Sequence, residues 1–220
     1  MKKRYIITIA TIAIILVVIY LVYKTEIDRM AKKNILNKNT DIPDIEPLVF
    51  NEKVKVNHDQ FIQDVRNIGI DLDIHPDSLM YWIDFESAGT FSPSIVNKSS
   101  GATGLIQFMP TTAKELGTTT ADLAKMTNLE QLKFVKTYFK LWIKRLGKLN
   151  NWLDPYLIIF YPAAKGKPDE YSLPKYVTPQ NPAFDYTIKD GVITVGEIRK
   201  FFQDRIKTKV PTMYLKYFGL

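Results

Sequence analysis

Asp84-Phe85-Glu86-Ser87, followed by Asn97-Lys98-Ser99-Ser100-Gly101-Ala102-Thr103-Gly104-Leu105-Ile106-Gln107-Phe108-Met109-Pro110, is the stretch that decides how this chain is read. Its first part ends an apolar helical pattern in a carboxylate. Its second is a small-residue turn followed by an uncharged amide. Upstream, Pro76 opens the helix, and Leu79, Ile83 and Glu86 recur at i, i+4 and i+7. That spacing sets the Glu86 carboxylate on the same face as two core residues, with Trp82 adjoining. Gly89 is expected to stop the helix one turn later.

Toward the C-terminus, Thr112 with Glu115 reads as a capping box closed by Gly117, and Thr120 opens a further short helix. Thr127 with Glu130 caps the longest amphipathic helix, whose stripe of Leu132, Val135, Phe139, Trp142 and Leu146 ends at Gly147. Asp154-Pro155 starts an apolar segment, Tyr156 to Tyr161, that breaks at Pro162. The proline-rich stretch to Pro182 predicts irregular structure. Asp185 to Glu197 has the outline of a calcium loop, but counted back from Gly191 the first two ligand positions fall on Tyr186 and Ile188. Glu197 is equally suited to a capping box with Thr194, so a metal-free structural element is expected, opening a final helix with Ile198, Phe201, Phe202 and Ile206.

Toward the N-terminus, Asp59 is placed to cap a helix burying Phe61, Ile62, Val65 and Ile68 and ending at Gly69. Residues 24–53 are polar and read as a tether, with Leu48-Val49-Phe50 open to a second reading as part of the domain. Before it, Met1-Lys2-Lys3-Arg4 precedes an uncharged run from Tyr5 to Tyr23, roughly 28 Å long as a helix and close to a bilayer's hydrocarbon thickness. The run is longer than a signal h-region and has no small-x-small cleavage site before Lys24, so a single membrane span is expected. Lys2, Lys3 and Arg4 on one side are balanced by Lys24, Arg29, Lys32 and Lys33 on the other, so charge leaves the orientation open.

Composition narrows the chemistry. The 220 residues contain no cysteine and two histidines, His58 and His75, which excludes thiolate catalysis and multi-histidine zinc sites and makes a Ser/His/Asp triad hard to build. Both histidines sit at helix starts and read as surface or capping residues. The net charge of +7 is spread along the chain without basic and aromatic interleaving, so no nucleic-acid partner is expected and an anionic polymer or membrane face is. No cofactor and no metal is called for.

A carboxylic acid pressed against apolar side chains loses hydration in its ionised form, so its pKa rises and it is held protonated near neutral pH. Such a group gives a proton to a glycosidic oxygen and, as a carboxylate, takes one back. From spacing alone, a Glu86 that turns into solvent at its helix end is an equal alternative.

Glu86-Ser87, then Gly101-Ala102-Thr103-Gly104-Leu105-Ile106-Gln107-Phe108-Met109-Pro110, then the Tyr161 segment, resembles the soluble lytic transglycosylase and goose-type lysozyme superfamily, especially its phage-associated members. The resemblance covers about residues 74–174. It implies a mainly α, lysozyme-like domain that cleaves peptidoglycan between N-acetylmuramic acid and N-acetylglucosamine. Carried over residue by residue, it implies Glu86 as the single acid/base and Ser87 as the neighbour that positions it or the sugar. Thr103 and Gln107 become glycan-binding groups on the cleft wall, and Tyr161 the hydroxyl facing Glu86. The Tyr-Asn of relatives reads here as Tyr161-Pro162. In such enzymes the muramoyl 6-hydroxyl attacks, leaving a 1,6-anhydro end. An inverting hydrolase would need a second carboxylate roughly 6.5–9.5 Å away. Asp84 lies about 200° around the helix from Glu86, which leaves Asp154, Asp169 and Glu170 for that role.

The expected organisation is a transmembrane anchor over 1–23, a tether over 24–53, a lysozyme-like domain over 54–178 and a helical extension over 179–220. The expected partners are glycan strands of peptidoglycan and, through residues 5–23, a lipid bilayer, with the C-terminal domain outside the cytoplasm. The rivals are an inverting muramidase on the same fold and a catalytically silent wall-binding protein.

Overall fold

A computed structural model describes residues 46–220, together with Leu21, Lys24, Thr25, Glu26, Asp28 and Arg29. The chain divides into two units, Met1–Glu46 and Pro47–Leu220. In the first, Glu26 pairs with Arg29 at 3.3 Å. The expected span over 5–23 lies outside the described residues except for Leu21, and among the described residues no helix is long and apolar enough to cross a membrane.

The second unit is helical, with isolated β-bridges and no strand among the described residues. Its α-helices are α1 (His58–Leu72), α2 (Pro76–Glu86), α3 (Pro110–Glu115), α4 (Thr120–Leu123), α5 (Asn128–Leu146), α6 (Asp154–Phe160) and α7 (Val195–Lys209), joined by 3₁₀ turns. The helix α2 is the axis of the unit: every residue from Asp77 to Asp84 is buried. A helix enclosed on all sides needs partners on all sides. α1, α6 and the 3₁₀ turn Thr212–Phe218 pack against it, while α1 also packs on α5, where Lys136 pairs with Asp71.

The aromatic residues of α2 are locked in from the C-terminal part of the chain. Phe202 of α7 meets Trp82 at 4.8 Å, Phe85 at 4.9 Å and Tyr156 at 4.3 Å between ring centroids, and the Trp82 Nε1–H donates to the Trp152 carbonyl at 3.1 Å. Phe218 adds an edge contact to Tyr81 at 5.4 Å. Residues 179–220, expected as an extension, are therefore one face of the core. The same holds at the other end, where Leu48, Val49 and Phe50 are buried. The Val49 N–H donates to Asp77 Oδ1 at 2.6 Å, Lys53 reaches Asp84 at 2.7 Å, and the Tyr214 hydroxyl donates to the Pro47 carbonyl at 2.9 Å. The polar stretch expected to run to residue 53 thus gives way to packed core from Leu48.

Several local expectations shift for tertiary reasons. α1 runs through Gly69 to Leu72, and the glycine serves close packing instead of a stop: a Cβ there would stand 2.9 Å from the Ile74 carbonyl oxygen where the chain turns back. Asn57, not Asp59, occupies its N-cap. α3 begins at Pro110 with Met109 as its N-cap and no side-chain cap, so Thr112 lies inside it; Glu115 instead pairs with Arg145 at 2.8 Å. Both remaining capping boxes, Thr127 with Glu130 and Thr194 with Glu197, are formed. In the α5 stripe Leu132, Val135 and Phe139 are buried, whereas Leu146 at the helix end is exposed.

Candidate active site

Glu86 is the last residue of α2 and is half-buried. Beyond it the chain reverses through Ala88 and Gly89, both left-handed at φ 51° and 76°, with the Gly89 N–H bonded to the Asp84 carbonyl at 2.7 Å. Ser87 is fully buried, and its Oγ accepts from the Phe91 N–H at 3.0 Å while its carbonyl accepts from the Thr90 hydroxyl at 2.6 Å. The hydroxyl of Ser87 thus holds the turn that follows Glu86.

Burial pushes the Glu86 carboxyl up to about 8. Among the described residues no hydrogen bond or ion pair to its side chain offsets the lost hydration, so the neutral acid is the stable form at neutral pH. The Tyr156 and Tyr138 hydroxyls lie within reach of its charge. Both are raised above the ordinary tyrosine range chiefly by burial, with the Glu86 carboxylate adding to it. The Tyr138 hydroxyl donates to the Ile158 carbonyl at 2.7 Å, which fastens α5 to α6 beside the acid.

The second half of the site is a hairpin-like turn. Thr103 and Phe108 exchange backbone hydrogen bonds at 3.0 and 2.9 Å, and the Gly104 carbonyl accepts from the Gln107 N–H at 3.1 Å. The Gly104 N–H donates to the Ile95 carbonyl at 2.8 Å, which seats the turn against the loop that leaves Glu86. Thr103 is buried with Oγ1 donating to the Gly101 carbonyl at 3.1 Å. Gln107, at φ 53°, donates through Nε2 to the Gly104 and Ile95 carbonyls at 3.1 and 3.4 Å, and its Oε1 has no partner among the described residues.

Tyr161 follows α6 directly and is half-buried. Its hydroxyl is raised by the Tyr176 hydroxyl beside it, then by burial and by Tyr171. The Glu86 carboxylate thus adds to the raised hydroxyls of Tyr138 and Tyr156, which the sequence reading did not single out, while Tyr161 is raised by its neighbours Tyr176 and Tyr171. Sequence reading also missed Gln131. It stands on the core face of α5 at the spacing Gln131, Val135, Tyr138, Trp142, and an uncharged amide at such a position is the signal that marks it.

Of the carboxylates weighed for a second catalytic role, Glu170 is exposed, and the others are engaged. Asp84 binds Lys53. Asp154 is buried and accepts from the Asn150 N–H at 2.7 Å and Asn151 Nδ2 at 3.1 Å. Asp169 pairs with Arg199 at 2.9 Å. In the Asp185–Glu197 loop, Asp185 Oδ2 accepts from the Gly191 N–H at 2.9 Å, and Glu197 accepts from Thr187, Ile188 and Thr194. Among the described residues no group of three or more His, Cys, Asp or Glu side chains is arranged to hold a metal ion.

No curated protein and no solved structure matches the chain. Residues 71–153, less than half of the chain, match the family model described as the Transglycosylase SLT domain; the match takes in Glu86 and the turn over 101–109 and ends before Tyr161. Over those residues the chain is similar to a domain that is characteristic of lytic transglycosylases, the lyases that act on peptidoglycan.

Proposed function

We propose that the protein is a membrane-anchored lytic transglycosylase that cleaves the β-1,4 bond between N-acetylmuramic acid and N-acetylglucosamine, with Glu86 as its single acid and base. The observation that carries this reading is Glu86 itself, a desolvated carboxyl raised to about 8 at the end of a helix buried on every side. In its acid form it gives its proton to the glycosidic oxygen as the C1–O bond breaks, so the N-acetylglucosamine fragment leaves as its 4-alcohol. The carboxylate that remains takes the proton of the muramoyl 6-hydroxyl as that oxygen bonds C1. The 1,6-anhydro ring closes and the acid is restored.

No water has to be activated in this mechanism; Asp84, Asp154 and Asp169 are engaged elsewhere, while Glu170 is exposed. Gln107 Oε1 is the glycan-binding group of the wall in this reading. Thr103 is buried with its hydroxyl on the Gly101 carbonyl and so bends the turn instead of touching the sugar as expected. Ser87 positions Glu86, and Tyr161 binds sugar. Residues 5–23 anchor the domain outside the cytoplasm, where its substrate is; a bacterial envelope and a phage virion or virion membrane both meet that requirement. The excess of positive charge draws the domain to anionic wall polymers.

The test is mass spectrometry of muropeptides released from purified peptidoglycan by the full chain in detergent, beside Glu86→Gln. Anhydro-muramoyl products that vanish in the variant are expected. Reducing ends would make the protein a hydrolase, and no release would leave a silent wall-binding protein.

A further inference from the structure

Gln131 joins three segments that meet behind the turn. Its side chain is wholly buried, and its carbonyl oxygen and both amide hydrogens end on backbone. Oε1 accepts from the Leu105 N–H at 2.6 Å, and Nε2 donates to the Pro93 carbonyl at 3.0 Å and to the Leu123 carbonyl at 2.9 Å. Leu105 belongs to the turn that carries Thr103 and Gln107, Pro93 to the loop that leaves Glu86, and Leu123 to the end of α4. The fit is close: a Cβ on Gly104, which sits at φ 86°, would lie 2.1 Å from Gln131 Oε1. The glycine of the turn and the glutamine of α5 therefore interlock.

We propose that Gln131 is a positioning residue for glycan binding, setting the register of the 101–109 turn against the 87–96 loop and so the placement of Thr103 and Gln107 relative to Glu86. The inference rests on the reading above that this turn holds the glycan. An amide is the side chain that suits the place, because it offers one acceptor and two donors in a plane. A carboxylate would set negative charge against two carbonyl oxygens, and an apolar residue would leave the Leu105 N–H and both carbonyls unpaired in a dry site. Nothing in this geometry touches the proton on Glu86. Loss of Gln131 is thus expected to act through binding of the sugar, with the pH dependence set by Glu86 unchanged.

The experiment uses the full chain carrying Glu86→Gln, which removes turnover, with the tetramer of N-acetylglucosamine as the probe and calorimetric titration as the readout. Adding Gln131→Leu is expected to weaken binding by about tenfold or more, the value of one or two lost buried hydrogen bonds, and to speed amide exchange at Leu105. Adding Gln131→Glu is expected to weaken binding at alkaline pH and to recover part of it as the pH falls, when the introduced carboxyl regains a proton to donate. This second variant keeps the test open where the first fails to fold. Unchanged affinity and unchanged Leu105 exchange in a folded Gln131 variant would overturn the proposal. A Glu86→Gln parent that binds no saccharide would overturn the glycan reading itself, and the exchange at Leu105 would still decide whether Gln131 fixes the turn.

Discussion

Glu86 and Glu197 are two sequestered glutamates with opposite electrostatics, and the contrast locates the chemistry. Glu86 closes α2, at the end where helix carbonyls face outward and an anion is disfavoured; it gains no donor among the described residues, and burial drives it up to about 8. Glu197 stands in the first turn of α7. Burial pushes it up too, but N–H groups of Thr187, Thr194 and Ile188 and the Thr187 hydroxyl outweigh that and hold it below the usual carboxylate range. Burial alone does not make a reactive acid. The missing donors do.

The contrast is broken most severely at Glu86. Glu86→Gln keeps the shape and removes the proton, and turnover on peptidoglycan is expected to fall by about 10² to 10⁴, the usual contribution of a positioned acid and base. In the unaltered enzyme, activity should fall as pH rises through about 8, because the acid form is the one that opens the glycosidic bond. A rate profile flat to pH 10 would remove Glu86 from that step.

Stability should separate the two residues by sign. A folded pKa raised above the unfolded value means that ionisation costs stability as pH rises from the unfolded value through about 8. Glu86→Gln is therefore expected to stabilise the protein at pH 9 by a few kcal/mol, and the gain should fade toward pH 4 in denaturant melts. Glu197 runs the other way: its folded pKa is lowered, so its contribution is present at neutral pH and lost as pH falls through that lowered value. Glu197→Gln should cost about 1–3 kcal/mol at pH 7, with the difference from the parent shrinking in acid. Two variants that shift stability in the same direction at pH 9 would end the comparison. The smallest effect expected is that of Thr194→Ala, which removes the other half of the capping box and should lower stability by about 1 kcal/mol, measured by the same melts.

The parts legible in sequence were those fixed by neighbours along the chain. Pro76 opens α2, and Thr127 with Glu130 and Thr194 with Glu197 form their boxes, because a cap is settled within four residues. Thr112 and Glu115 carry the same pattern and do not form one, since Pro110 already starts that helix and Arg145 takes the glutamate. Gly69 looks like a stop and is a crossing point with Ile74 and Pro76. Glu86 stood out by its spacing. Its environment depended on Tyr138, Tyr156 and Phe202, which come from 52 to 116 residues further along the chain and carry no local sign of where they meet. Gln131 was hidden for the same reason: its three partners lie on three different segments.

The segment Leu48–Lys53 has a mechanical consequence. It is fastened to α2 near both ends, through Val49 to Asp77 and through Lys53 to Asp84, and it is the first packed stretch after Pro47. A pull on the chain ahead of Pro47 is therefore borne by the Tyr214–Pro47 bond and then by bonds to the helix that carries Glu86, so tension there loads the frame of the acid early.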